Sequence, residues 1–123
     1  MSHHRILKPS FIREDERGAF RELLNIGQWE SLVQGDMHAG AVLGNHYHKE
    51  TRIFFMLLGG RTRIETRHAE TNTRDMFELG PFEGCYFELY ESHKITFLEP
   101  GSFIFLKDKQ YDPANDDIHH LEV

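Results

Sequence analysis

The sequence predicts an all-β chain folded as a two-sheet antiparallel sandwich or barrel, and three observations carry that prediction. Apolar residues come in short β-branched or aromatic runs or in alternation, and helical periodicity is nearly absent. Gly, Pro, Asn and Asp bound those runs at short intervals. Ten phenylalanines, four tyrosines and one tryptophan supply bulky apolar surface for a core.

The first expected strand runs from Ala19 to Leu24, and a short helix is expected around Gln28 to Leu32. Strands then follow at Leu32 to Met37, Ala41 to Tyr47, Ile53 to Leu58 and Arg61 to Thr66. Met76 to Leu79, Cys85 to Tyr90, Lys94 to Leu98 and Ser102 to Leu106 complete the series. Gly59-Gly60 reads as a two-residue hairpin, because glycine alone accepts positive φ at both turn positions without strain. Gly80-Pro81-Phe82-Glu83-Gly84 and Glu99-Pro100-Gly101 mark two further hairpins. In Arg61-Thr62-Arg63-Ile64-Glu65-Thr66-Arg67, charge alternates with smaller or apolar residues, which predicts a strand with one wet face carrying the three arginines. Short strands punctuated by turns suit a two-sheet jelly roll. From Lys107 the pattern dissolves into a polar tail, with Tyr111 and Pro113 as the residues able to pack back.

Composition sets the outer bounds. At 123 residues the chain has the common size of one domain, so a single domain over 1–123 with a core at about 15–113 is expected. A formal charge of −6 argues against nucleic acid and anionic membrane as partners and leaves a small-molecule ligand. Cys85 is the sole cysteine, so no intrachain disulfide is expected, and Met1-Ser2-His3-His4-Arg5 lacks the apolar run of a signal peptide. The longest apolar stretch, Ile53 to Leu58, falls far short of the roughly 20 residues that span a bilayer. Cytoplasmic residence is the expectation. His3, His4, His119 and His120 are expected to lie in frayed termini and to take no part in chemistry.

Two histidines stand out. His46 and His48 are two residues apart, so on a strand their imidazoles project from one face and can grip one ion together. His93, at the start of a later strand, supplies a third nitrogen if the fold brings it opposite. Three neutral imidazoles with an open position suit Zn, Fe, Ni or Mn. The alternative is that these histidines are polar groups lining a cavity. Arg17 and Phe20 have two readings of similar weight. A guanidinium clamps a diphosphate and an aromatic ring stacks on a base, or Asp15 to Gly18 is only a turn and Phe20 a core residue.

Gly44-Asn45-His46-Tyr47-His48-Lys49, followed by Phe54-Phe55-Met56-Leu57-Leu58-Gly59, resembles the first motif of the cupins. Ser92-His93-Lys94-Ile95-Thr96-Phe97-Leu98-Glu99-Pro100-Gly101-Ser102 resembles the surroundings of the lone histidine in their second motif. Asp15-Glu16-Arg17-Gly18-Ala19-Phe20-Arg21-Glu22 is similar to a segment of rhamnose-pathway 3,5-epimerases and of the cupin domain in capsular-polysaccharide enzymes. Tyr111-Asp112-Pro113 resembles the end of sugar-nucleotide cupins.

The resemblance implies a double-stranded β-helix, the cupin jelly-roll barrel, and a homodimer. It implies an epimerase or ketoisomerase acting on a nucleotide-linked keto-sugar in surface-polysaccharide synthesis. His46 is then the base that removes a proton beside the keto group, and Tyr111 the donor on the opposite face. Arg17 and Phe20 would contact the nucleotide, and Arg52 or His93 would stabilise the developing oxyanion. No metal is required by that reading. The rival reading is a metal-binding cupin, catalytically silent or of other function, in which His46, His48 and His93 hold a divalent ion. A third is a scaffold that only dimerises. One departure bears on all three: Arg52 stands where the cupin glutamate ligand falls, so its positive charge is expected to oppose a cation and leave metal occupancy partial.

Overall fold

The structure is a computed structural model that describes residues 5–123, so His3 and His4 lie outside the described residues. In chain order the strands are β1 (Phe11–Asp15), β2 (Gly18–Glu22), β3 (Ser31–Met37), β4 (Val42–Tyr47), β5 (Ile53–Gly59) and β6 (Thr62–His68). β7 (Arg74–Leu79), β8 (Gly84–Phe87), β9 (Glu91–Phe97), β10 (Gly101–Lys107) and β11 (His119–His120) follow. No helix forms among the described residues, and so none is long and apolar enough to cross a membrane. The expected helix around Gln28 to Leu32 is replaced by a loop that runs into β3. Trp29 pins this loop by donating its indole N–H to the Ile26 carbonyl at 3.0 Å, and Glu30 already donates its backbone N–H to Lys107.

The strands form a four-stranded sheet ordered β3-β10-β5-β8, a five-stranded sheet ordered β11-β4-β9-β6-β7, and a separate β1-β2 ribbon. Every pairing is antiparallel. This corrects the expected cupin jelly-roll barrel: no sheet closes on itself, and the all-β architecture is a sandwich of two open sheets. Phenyl rings fill the space between the sheets. Packed sheets typically lie roughly 10 Å apart, about twice the spacing at which strands share a hydrogen-bond ladder.

The three glycine-marked turns also differ from expectation. β5 and β6, β7 and β8, and β9 and β10 each lie in opposite sheets, so the turns joining them are crossings between layers and not hairpins. Gly60 has φ of 88°, and a Cβ there would sit 2.5 Å from the Pro100 carbonyl oxygen. A Cβ on Gly101 would sit 2.6 Å from the Gly59 carbonyl oxygen. Two crossings therefore press against each other, and the glycines serve that close approach. The hairpins are β1–β2 and β6–β7.

The core draws on both sheets. Phe55 and Leu57 of β5, Cys85 and Phe87 of β8 and Phe103 of β10 meet Ile64, Phe77, Leu79, Ile95 and Phe97 of the other layer. The Phe97 and Phe103 rings lie 5.7 Å apart and the Phe55 and Phe103 rings 5.5 Å apart. Burial of each such side chain is worth about 1.5–3 kcal/mol. On β6, Thr62, Ile64 and Thr66 are buried while Arg63, Glu65 and Arg67 face outward, so the alternation read from the sequence holds. The β1–β2 ribbon is exposed along its whole length.

Candidate functional site

The histidines gather at one end of the sandwich because of a local irregularity in β4. β4 pairs with β9 in register from Val42 to Gly44, and the register then shifts so that His46 sits opposite His93. Asn45, left over in the bulge, adopts φ of 58°, and Gly44 has φ of 107°. A Cβ on Gly44 would lie 2.2 Å from the His93 carbonyl oxygen, so only glycine lets β4 approach here. The bulge re-aims the end of β4 and brings His46 and His48 into one triangle of rings with His93. Ring centroids are 4.8 Å apart for His46 and His93, 5.3 Å for His46 and His48, and 6.1 Å for His48 and His93.

One nitrogen from each ring falls within 4.8 Å of the other two, so the cluster is able to coordinate a divalent metal. The rings fit such an ion in a second respect. Nε2 of His48 and Nδ1 of His93 are buried without a hydrogen-bond partner, and a buried polar nitrogen without a partner is costly unless something binds it. Burial is the first cause that lowers the pKa of His46, His48 and His93, and neighbouring histidines add to the lowering for His46 and His93. For His93 the shift is well below the ordinary 6.5. All three rings are therefore neutral at pH 7, as either a metal ligand or a general base requires. His93 is further held by stacking on Phe87 at 4.2 Å.

A cavity of ≈ 240 Å³ opens beside His48, lined by Glu50, Lys107, Lys109, Tyr111 and the segment Asn115 to Ile118, among others. Tyr111, expected as a proton donor, lines this cavity but is 69% exposed. The other expected substrate residues lie elsewhere. Arg17 is bound to Asp15 at 2.7 Å in the β1–β2 turn, and with Phe20 it lines a different cavity on the ribbon. Phe20 is exposed, which corrects its reading as a core residue. Arg52 pairs with Glu88 at 2.8 Å and lines a third cavity with Trp29, Tyr86 and Asp108. Its charge is thus committed to Glu88, and Arg52 does not line the cavity beside His48. Glu50 reaches Asn115 and is not part of the histidine cluster.

The tail beyond Lys107 holds what the sequence reading missed. His119 and His120, expected to be frayed, form β11 against Tyr47 and His46. Asp117 receives backbone N–H bonds from Lys49, Glu50 and Thr51 at 2.9, 2.8 and 3.0 Å, and its carbonyl accepts the Nδ1–H of His48. Leu121 accepts from the Ser92 hydroxyl, and the Val123 N–H donates to Asn45 Oδ1 at 3.1 Å. No periodicity announces a segment built from such single contacts.

Three histidines converging from the ends of two neighbouring strands in a two-sheet sandwich are the arrangement expected of a cupin-type protein. Residues 13–119 match the family described as the polysaccharide biosynthesis C-terminal domain, and the chain belongs to that family. Among solved structures, the capsular polysaccharide assembling protein CapF from Staphylococcus aureus is similar at 22% identity and a TM-score of 0.72. That match covers 92% of this chain and 32% of CapF, so the chain spans about a third of the length of that relative. The rmlC epimerase of Mycobacterium tuberculosis is similar at 16% identity and a TM-score of 0.78, over 94% of this chain and 66% of that one. A dTDP-4-dehydrorhamnose 3,5-epimerase from Elizabethkingia anophelis matches at 20% identity and a TM-score of 0.77, over 94% and 73%. At these identities the likeness is one of fold. No curated protein matches the sequence.

Proposed function

We propose that the chain acts on a nucleotide-linked keto-sugar, as an epimerase or ketoisomerase, in the synthesis of a surface polysaccharide. The observation that carries this reading is a half-buried His46 in a cluster with His48, which lines an open cavity together with Lys107, Lys109 and Tyr111. His46 takes the proton from the carbon beside the keto group, the C–H electron pair moves into the enolate, and the proton returns to the opposite face or to the neighbouring carbon. Tyr111 is the proposed donor for that return. Lysines 107 and 109 supply the positive charge that a nucleotide diphosphate needs, a role expected of Arg17 from the sequence. Cytoplasmic residence and a homodimer go with this reading, since nucleotide-linked sugars are made inside the cell and the β1–β2 ribbon exposes Phe11, Ile12 and Phe20.

The unpartnered nitrogens of His48 and His93 favour a second reading, in which the cluster holds a divalent ion. Bound by His46, His48 and His93, such an ion would act as a Lewis acid toward a carbonyl oxygen. The two readings separate in one experiment. Incubating the chain with nucleotide-linked 4-keto sugars in D2O should place deuterium beside the keto carbon, and His46→Ala should abolish the exchange. Exchange that persists in His46→Ala removes His46 as the base. If no exchange occurs with any such sugar while zinc binds stoichiometrically, the metal-binding reading stands alone.

A further inference from the structure

We infer that Asp117 is a positioning residue for His48: by anchoring the tail to the turn after β4 it fixes which nitrogen of that imidazole faces the cluster. The inference deepens the proposed reading of the histidine site and rests on it for its functional meaning.

The argument starts from hydrogen-bond roles. A carbonyl oxygen only accepts, so the contact between His48 Nδ1 and the Asp117 carbonyl requires the proton on Nδ1. In a neutral ring the other nitrogen then carries the lone pair. That nitrogen, Nε2, is the one buried without a partner next to His46 and His93. Histidine in water prefers the opposite tautomer, with the proton on Nε2, which would turn an N–H of His48 into the cluster and remove its lone pair from there. The Asp117 carbonyl sets the useful form.

What sets the carbonyl is the same residue's side chain. Lys49, Glu50 and Thr51 point three successive backbone N–H groups at one carboxylate. Burial pushes the Asp117 carboxyl up, but the amides of Lys49 and Glu50 and the contacts with Thr51 and His119 hold it below its ordinary value, so it is charged at neutral pH. An anion in a concavity of backbone amides is a strong anchor. Asp117 thus clasps the chain immediately after His48 with its carboxylate and orients His48 with its carbonyl. Among the described residues it is the link between the tail and the turn after β4 that makes both bonds.

Asp117→Asn keeps the volume of the side chain while removing its charge and replacing one of its two acceptor oxygens with an amide NH2, itself a donor. The measurement is the pair of imidazole 15N shifts of His48 in metal-free protein, with zinc affinity by competition against a chelating dye as the second readout. Wild type should show Nδ1 protonated and Nε2 bare. Asp117→Asn should move both shifts toward the opposite tautomer and weaken zinc by about tenfold or more, the usual effect of losing a group that orients a ligand. Asp117→Ala, which removes both acceptor oxygens, should shift both readouts at least as far and serves if the asparagine variant does not fold. Asp108→Asn is the control for a merely structural role, because Asp108 also accepts a backbone N–H, from Arg52 at 2.8 Å, without touching His48. It should lower thermal stability yet leave both readouts unchanged. An Asp117→Asn protein whose His48 keeps the wild-type tautomer overturns the inference, whatever its stability. If wild type binds no zinc, the metal reading of the site fails, and the tautomer in the metal-free protein still decides the role of Asp117.

Discussion

The two ends of the sandwich are made from the same strands and bury opposite kinds of group. At the end where β5 meets β10 and β9 finishes, Leu57, Phe97 and Phe103 are packed against one another and two glycine crossings seal the layer. At the other end, where β9 begins and β4 finishes, the same interior holds His48 and His93, with two ring nitrogens unpartnered. One end spends its interior on stability. The other keeps polar groups that an apolar core would exclude, which is the usual sign of a site built to bind something.

The contrast fixes where substitutions should hurt. Phe97→Ala should cost about 3–5 kcal/mol, because a fully buried ring leaves a cavity between two rigid sheets. Urea unfolding measures it, and a loss under about 1 kcal/mol would mean that the sealed end is not the stabilising one. Gly60→Ala should cost about 2–3 kcal/mol, since positive φ disfavours a Cβ and the Pro100 carbonyl must move.

Acid should act through the histidine end. The folded-state pKa values of His46, His48 and His93 lie below the ordinary 6.5, so the folded chain binds fewer protons than the unfolded one between those values and 6.5. Stability present above pH 6.5 is therefore lost as pH falls through that window. The midpoint of thermal unfolding should drop between pH 7 and pH 5, and replacing His93 with Gln should flatten the slope. A slope that His93→Gln leaves intact would move the titrating groups elsewhere. The smallest effect belongs to Arg52→Ala, which breaks an exposed ion pair worth about 0–1 kcal/mol and should leave zinc affinity unchanged. A large gain in zinc affinity would restore the expectation that Arg52 opposes a cation in the site.

How much of this was legible in the sequence follows from the range of each signal. Alternation in β6 and the apolar runs of β5 and β10 report burial one residue at a time, and those strands fall within a residue or two of expectation. Gly59-Gly60 reports only that the backbone turns sharply. A hairpin and a crossing between layers ask the same of glycine, so the turn was found and its topology was misread. One of the two readings of Phe20 made it core, from its alternation with Leu24, but the ribbon is exposed along its length and forms a sheet of its own. The spacing of His46 and His48 pointed to one face directly. What brings them to His93 is a bulge at Asn45, just before the pair, which strand parity does not foresee. Asp117 lay beyond reach, since one carboxylate and three amides about 66–68 positions away leave no pattern along the chain.

The crossings also govern the order in which the molecule can be made. β3 finds its partner only in β10, and β4 is flanked by β9 and β11, so strands from the first half of the chain wait for strands from its end. Pairings of such long sequence separation fold slowly, because the loop must close before any contact repays it. During synthesis, a nascent chain that has just emerged through His93 carries the three histidines of the cluster but neither the β10 that joins β3 to β5 nor the Asp117 that orients His48. Its unpaired β3 and β5 edges are then the exposed, adhesive surfaces of the growing polypeptide.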